Sequence, residues 1–309
     1  MSYTEAYRRP SMDETATLLV TGAAGRLGAL VCRALSSAGR RNVVAASRSP
    51  ERLTDLRVKG IEVRRADFDD SASLEVAFEG IDRALIISTD ALSVPGQRKR
   101  QHRTALEAAI RSGVKHVAYT SMPNAEFSSA IPFAQDHQDM EAALRESGLG
   151  YSVLRNSWYQ ENLLAYLPNI LRSGIWFTAA GDGRIAYVSR ADAADAAAKV
   201  LAFGHGSEVV EVAGPEALTV EEIAVIIREV LGLSIRVEHV SQERLAVELA
   251  RQGALPEVIP MVLGTEANQR AGHFDVNHDA LCNVLGRPAK ALADFFRTEM
   301  TMLLAPVRS

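Results

Sequence analysis

Strands that alternate with helices through the first half of the chain, a glycine-rich turn after the first strand and a looser, more helical second half together predict an α/β protein. The expected architecture is a doubly wound parallel sheet of the Rossmann type, with a smaller mixed α/β, mostly helical C-terminal portion covering the substrate. Right-handed crossovers make sheet neighbours parallel, and such sheets bind ligands at the carboxyl ends of their strands. The 309 residues, 47% hydrophobic and 23% charged, suffice for one large or two ordinary domains with a sizeable core. We divide them into a disordered leader at 1–15, a dinucleotide-binding domain at 16–157, and a portion at 158–309 that is mostly substrate-covering and interleaves with the first domain.

The first strand and its turn read T-L-L-V-T-G-A-A-G-R-L-G over residues 17–28. Leu18 to Thr21 run straight into Gly22, Gly25 and Gly28, and the apolar spacing then turns helical at Leu27, Leu30, Val31, Ala34 and Leu35 until Gly39. Such a segment needs a tight turn at Gly22, a backbone open to a pyrophosphate at Gly25 and close helix packing at Gly28; Arg26 and Leu27 belong to the same phosphate-binding turn. The second strand, Val43 to Ser47, ends at Arg48, 20 residues past Gly28, and Pro50 opens the next helix. That tip meets the adenosine ribose, where an acid suits NAD and an arginine suits the 2′-phosphate of NADP. No acid stands there, so Arg48 points to NADP(H) as the cofactor.

The pattern repeats. Gly60 ends a helix, Ile61 to Ala66 form a strand, and Asp67 and Phe68 at its tip either flank an adenine or cap and pack the next helix. Asp70 or Ser71 caps that helix and Gly80 closes it; Ala84 to Ser88 form the fourth strand, with Ser88 and Thr89 placed to line the cofactor or to satisfy backbone groups. After a loop at 89–97 comes a helix with Leu106, Ala109 and Ile110 inward, then a strand from Val114 to Thr120. Of Tyr119, Thr120 and Ser121 at its end, at least one faces the nicotinamide. A loop at 121–134 opens a helix from about Gln135 to Ser147, and Tyr151 to Leu154 form a sixth strand running into Asn156, Trp158 and Tyr159. Further on, Ile185–Val188, Val209–Val212 and Ile235–Val240 read as strands, and Ala191–Phe203 and Thr219–Leu231 as helices. Residues 242–305 read as mostly helical, broken at Pro256, Pro260 and Pro288.

Composition narrows the function. A net charge of −4 and an isoelectric point near 6.0 argue against a nucleic-acid surface, and no apolar run approaches the roughly 18 residues of a membrane span. The polar leader, with Arg8 and Arg9 followed by no apolar stretch, does not read as a signal peptide. Cys32 and Cys282 suggest no disulfide framework, which fits a cytoplasmic protein, and the histidines show no metal-ligand spacing, so no metal is expected. The expected partner is a small-molecule acceptor; a homo-oligomer stays open.

Six stretches carry a family resemblance: T-G-A-A-G-R-L-G at 21–28, S-R-S-P at 47–50, the turn at Ala66-Asp67-Phe68, V-K-H-V-A-Y-T-S at 114–121, L-R-N-S-W-Y-Q-E-N at 154–162 and A-A-G-D-G-R-I-A at 179–186. Together they resemble the NmrA-like, atypical short-chain dehydrogenases/reductases, above all the type 2 NADPH-dependent quinone oxidoreductases and the triphenylmethane reductases. The likeness covers roughly residues 16–300. It implies an oxidoreductase that moves a hydride from NADPH to a quinone or similarly conjugated acceptor. The Tyr-x-x-x-Lys pair of a typical short-chain dehydrogenase is absent; its helix reads His137-Gln138-Asp139-Met140-Glu141, and the quinone reductases also carry a histidine with a glutamate four residues on. The candidate catalytic residues are therefore His137, as proton donor or hydrogen-bond partner of the acceptor, and Glu141, as its orienting group or a surface pair. Asn156 is expected at the carboxamide, and His137, Trp158 and Tyr159 at the acceptor pocket. A quinone accepts hydride without the missing pair, because charge delocalises on an aromatic oxygen and solvent supplies the proton. Two other readings stay open: a biosynthetic ketone or enone reductase of an aromatic substrate, and a non-catalytic NADP-binding redox sensor.

Overall fold

A computed structural model describes residues 15–308. Residues 1–14 of the expected leader lie outside the described residues; Thr15 is tied down by its carbonyl, which accepts from the Asn42 amide 3.0 Å away. The chain begins with β1 (Leu18–Val20), α1 (Arg26–Ser37), β2 (Val43–Ser47), a 3-10 turn at Pro50–Leu53 running into α2 (Thr54–Val58), β3 (Glu62–Arg65), α3 (Ser71–Phe78) and β4 (Arg83–Ile86). It continues through α4 (Gln97–Arg111), β5 (His116–Ser121), α5 (Ala134–Glu146) and β6 (Gly150–Asn156). These strands and β8 (Ser207–Val212) form one parallel sheet in the order β3-β2-β1-β4-β5-β6-β8. The order reverses between β1 and β4, which opens a crevice there at the carboxyl edge.

Local chemistry explains the boundaries. Gly39, Gly60, Gly80 and Gly113, read as helix stops, all take positive φ, between 69° and 80°. Asp70 caps α3 by accepting from the Ser73 amide. One face of the sheet is covered by α1 and by the alanine-rich α7 (Arg190–Phe203), the other by α3, α4 and α5. Along α4 the inward residues include Leu106 and Ala109, but Ile110 is exposed, a correction to the expected stripe.

The C-terminal half builds its own core over the carboxyl edge. After a 3-10 turn at Gln160–Ala165 come α6 (Leu167–Ser173), with Pro168 in its first turn, and β7 (Ile175–Thr178). Past β8 follow α8 (Val220–Leu231), β9 (Arg236–His239), α9 (Gln242–Arg251), α10 (Ile259–Arg270), α11 (Asp279–Leu285) and α12 (Leu292–Arg308). β7 and β9 pair in parallel as a second, two-stranded sheet. Two expectations are corrected here. Ile185–Val188 is not a strand but makes isolated bridges, Ile185 to Leu218 and Val188 to Tyr159; and β7 was not anticipated. Pro260 opens α10 in place of breaking it. Gly264 lets α10 lie against the loop ahead of α5, since a Cβ there would sit 2.2 Å from the Ala130 carbonyl oxygen.

Candidate active site

The carboxyl edge at the β1/β4 crevice brings most of the expected cofactor residues together. Gly22 has φ +62°, and the Gly25 amide donates to its carbonyl at 2.9 Å, closing the turn. A Cβ on Gly28 would lie 2.4 Å from the Gly22 oxygen and 2.8 Å from the Ala23 Cα, so the helix sits on the turn as closely as a glycine permits. The first turn of α1 has neither a side-chain cap nor an acidic residue, which leaves its N–H groups and dipole available to an anion. Leu27 is buried in the core, and Arg26 is exposed. Arg48 stands at the tip of β2 with its side chain 64% exposed and only a 3.9 Å pairing to the exposed Asp90.

Past β4 the backbone leaves the ladder and is held by side chains. The Ile87 amide donates to Thr21 Oγ1 (3.0 Å), the Ser88 amide to Thr120 Oγ1 (2.9 Å) and the Thr89 amide to His102 Nε2 (3.1 Å). The Thr89 hydroxyl is buried without a partner, as is Asn156 Oδ1 at the end of β6, whose Nδ2 donates to the Tyr159 hydroxyl. The glycine cradle, the bare helix start and these two orphaned oxygens fit a dinucleotide lying across the crevice.

Other expectations are redirected. The Asp67 carboxylate accepts from the Asp69 amide and pairs with Arg65, while the Phe68 ring is buried with Leu74 and Phe78. Thr120 and Ser121 turn their hydroxyls to protein groups, Thr120 to Ser88 and Ser121 to Glu141. Glu141 does not orient His137. Its buried carboxylate accepts from Ser121 (2.7 Å), Arg145 (3.0 Å) and Arg155 (2.8 Å), tying α5 to the ends of β5 and β6.

His137 is buried, and both ring nitrogens are engaged: Nε2 accepts from Arg98 at 2.9 Å and Nδ1 meets the Tyr119 hydroxyl at 2.8 Å. Burial, then the Arg98 charge, hold its pKa well below the ordinary imidazole value. Both ring nitrogens of His137 thus already have protein partners, and the ring is held neutral. Trp158 and Tyr159, adjacent at the end of β6, join different clusters. Tyr159 packs toward the sheet under the Arg190 guanidinium, 4.8 Å from its ring, with burial pushing its phenol up to about 12. Trp158 instead lies between Phe133, stacked at 6.4 Å, and Phe274 at 4.6 Å. Phe133, Phe274, Arg98 and His102 were not anticipated. Arg98 and His102 share the i, i+4 stripe of α4 with buried Ala105, Leu106 and Ala109, which was the available signal.

With this geometry in place, comparison with known proteins is informative. The NAD(P)H-binding family model matches residues 22–203, from the glycine turn to the end of α7. The chain belongs to the NAD(P)H-binding family. Within it, quinone oxidoreductase 2 of Escherichia coli K12 is 36% identical over 279 residues, 90% of this chain and 96% of that protein. The crystal structure of an E. coli NADPH-dependent quinone oxidoreductase complexed with NADPH matches with a TM-score of 0.85 at 34% identity, covering 93% of this chain and all of that one. The triphenylmethane reductase of Citrobacter sp., complexed with NADP(H), matches with a TM-score of 0.85 at 30% identity, over 92% and 99% of the two chains. The resemblance drawn from the six sequence stretches is thus borne out, and so is the Rossmann-type parallel sheet. Among the described residues no group of three or more His, Cys, Asp or Glu could hold a metal ion, and no helix is long and apolar enough to cross a membrane.

Proposed function

We propose that this protein is an NADPH-dependent oxidoreductase that reduces a quinone or a similarly conjugated acceptor by two electrons. One observation carries the choice of acceptor: the acid–base side chains predicted for the chemistry are locked in protein contacts. His137 is bonded on both nitrogens and Glu141 is held by two arginines and a serine. An ordinary ketone needs a positioned acid as hydride arrives, whereas a quinone oxygen spreads the charge into its ring and takes its proton from water.

When bound, NADPH supplies the hydride. The chain's residues bind, orient and exclude water. The turn from Gly22 to Gly28 and the start of α1 receive the pyrophosphate, and Arg48 meets the 2′-phosphate. Thr89 Oγ1 and Asn156 Oδ1 are the buried polar atoms left to meet the nicotinamide end. The stacked, part-exposed rings of Phe133 and Trp158, the latter backed by the buried Phe274, offer an apolar surface to a planar acceptor and keep water away from the transfer. Support also comes from the E. coli quinone oxidoreductases, which match nearly the full length of the chain.

The test is a panel of benzoquinones, naphthoquinones, triphenylmethane dyes and simple ketones offered with NADPH or NADH, read by loss of reduced-nicotinamide absorbance. Quinone-dependent oxidation of NADPH, with ketones inert, is the expected result. Tight NADP(H) binding with no acceptor turned over would replace this reading with that of a redox sensor, and ketone turnover with that of a ketone reductase.

A further inference from the structure

The segment that leaves β4 is the wall of the cofactor crevice opposite the glycine turn, and its last residue is gripped from both sides. Arg98 Nε donates to the Thr89 carbonyl at 2.7 Å, while the Thr89 amide donates to His102 Nε2 at 3.1 Å. Both side chains come from α4, one turn apart, and both are buried. They are braced in turn. Arg98 also donates to the Phe133 carbonyl, reaches Asp136 at 3.7 Å and lies over the Phe133 ring, and His102 meets the Tyr119 hydroxyl at 3.3 Å.

We propose that Arg98 and His102 are positioning residues for the reaction: together they clamp Thr89 by its carbonyl and amide and so fix the wall against which the dinucleotide lies.

The proton arrangement follows from donor and acceptor chemistry. A backbone N–H only donates, so His102 Nε2 accepts and its proton sits on Nδ1, facing Tyr119. Arg98 only donates, so His137 Nε2 accepts and its Nδ1–H also faces Tyr119. The phenol oxygen, at the centre, receives both imidazole protons, and the two rings are fixed as neutral single tautomers. Burial and the Arg98 charge hold His102 down to about 3, in keeping with that state. The same two contacts fix the Thr89 backbone on both its polar groups, while its hydroxyl is buried with no hydrogen-bond partner among the described residues. This gives His137 a place in the molecule as well: it props Arg98 from behind and does not contact the acceptor.

The inference rests on the proposed function only for NADPH as the dinucleotide, so its test reads binding with no acceptor present. His102→Leu removes the acceptor for the Thr89 amide, and His102→Gln replaces it with a side-chain oxygen. Thermal unfolding without cofactor establishes that each variant is folded. Two readouts follow: exchange of the Thr89 amide in the cofactor-free protein, and the NADPH Kd from nicotinamide fluorescence. The expected result for His102→Leu is faster exchange at Thr89 and NADPH binding weakened by about 10- to 100-fold. His102→Gln is expected to recover most of the affinity. Arg98→Lys keeps the charge beside Asp136 but loses the fork that holds Thr89, and is expected to weaken NADPH about tenfold, which serves should His102→Leu not fold. Wild-type NADPH affinity in His102→Leu or in Arg98→Lys, or a glutamine variant no better than leucine, overturns the proposal. Failure of wild type to reduce quinones bears on the proposed function alone.

Discussion

A methyl group on Gly28 separates the two demands that the phosphate turn makes. The Cβ of Gly28→Ala would stand 2.4 Å from the Gly22 carbonyl oxygen, where carbon and oxygen ordinarily meet no closer than about 3.3 Å. The turn and helix must therefore part by about 0.9 Å, and both contacting atoms are backbone, so no side-chain rotation relieves it. Overpacking of this kind costs about 1–3 kcal/mol, and a shift near 1 Å in the amides that receive the pyrophosphate costs about 100-fold in function. Gly25→Ala is the internal comparison: its Cβ meets only the Gly22 oxygen, at 3.1 Å, on the exposed side, and its φ of −82° suits alanine. The expected pattern is loss of both melting temperature and NADPH affinity in Gly28→Ala, against loss of affinity with a near-native melt in Gly25→Ala. Differential scanning fluorimetry without cofactor and an NADPH titration read the two effects apart. A Gly28→Ala protein that melts and binds like wild type would refute the packing argument, and a Gly25→Ala protein that binds NADPH normally would remove the pyrophosphate from this turn.

Arg48→Ala should weaken NADPH by about 10- to 100-fold and leave NADH unchanged, because its one charge partner among the described residues is 3.9 Å away and exposed; equal losses in the two titrations would count against a 2′-phosphate contact. His137→Phe leaves an Arg98 N–H without its acceptor and takes from the Tyr119 hydroxyl the shorter of its two imidazole contacts, and should cost about 1–3 kcal/mol by denaturant melts. Its kcat should fall far less than the about 100-fold that loss of a general acid brings, and a larger fall would restore His137 to the chemistry. Burial raises both Glu211 and Glu266 from 4.5 to about 7 in the folded chain. Each folded carboxyl then binds a proton more tightly than the unfolded one, so their contribution is full below pH 4.5 and is lost as pH rises through 7. In melts across that window Glu211→Gln and Glu266→Gln should lose less stability with rising pH than wild type; parallel curves would show that neither group is linked to folding.

The sheet was legible because its signals are local. Leu18 to Gly28 declares strand, turn and helix within a dozen residues, and Gly39, Gly60, Gly80 and Gly113 close helices by backbone conformation alone. The covering portion was not, because its pairings are remote. Among the described residues Ile175–Thr178 has Arg236–His239 as its one strand partner, and nothing near either segment announces the other. Ile185–Val188 has a strand's composition, but its neighbours offer single bridges in place of a ladder. At the site, residue types were readable and directions were not. Trp158 and Tyr159 arrive side by side in sequence, yet one joins the aromatic wall and the other turns under Arg190. The i, i+4 placement of Arg98 and His102 on an apolar stripe was visible, but what they hold depends on where the β4 loop passes.

The helix α5 explains why an intact dinucleotide fold can forgo the usual acid. Its inward positions 137 and 141, where a typical short-chain dehydrogenase presents Tyr and Lys, here point into two separate buried networks. His137 ties the helix to Arg98 on α4 and Tyr119 on β5, and Glu141 ties it to Ser121 on β5 and Arg155 on β6. In both networks the imidazole nitrogens and the carboxylate are already bonded within the protein, and an unpaired buried charge costs more than a hydrogen bond to substrate returns. Ionisable groups near the crevice therefore rigidify its walls, and the rate must come from how closely the nicotinamide and a planar acceptor are held together. On the proposed reading such a site would select substrates by their electronic ability to take a hydride unaided, which is why quinones and simple ketones are the pair to compare in the acceptor panel.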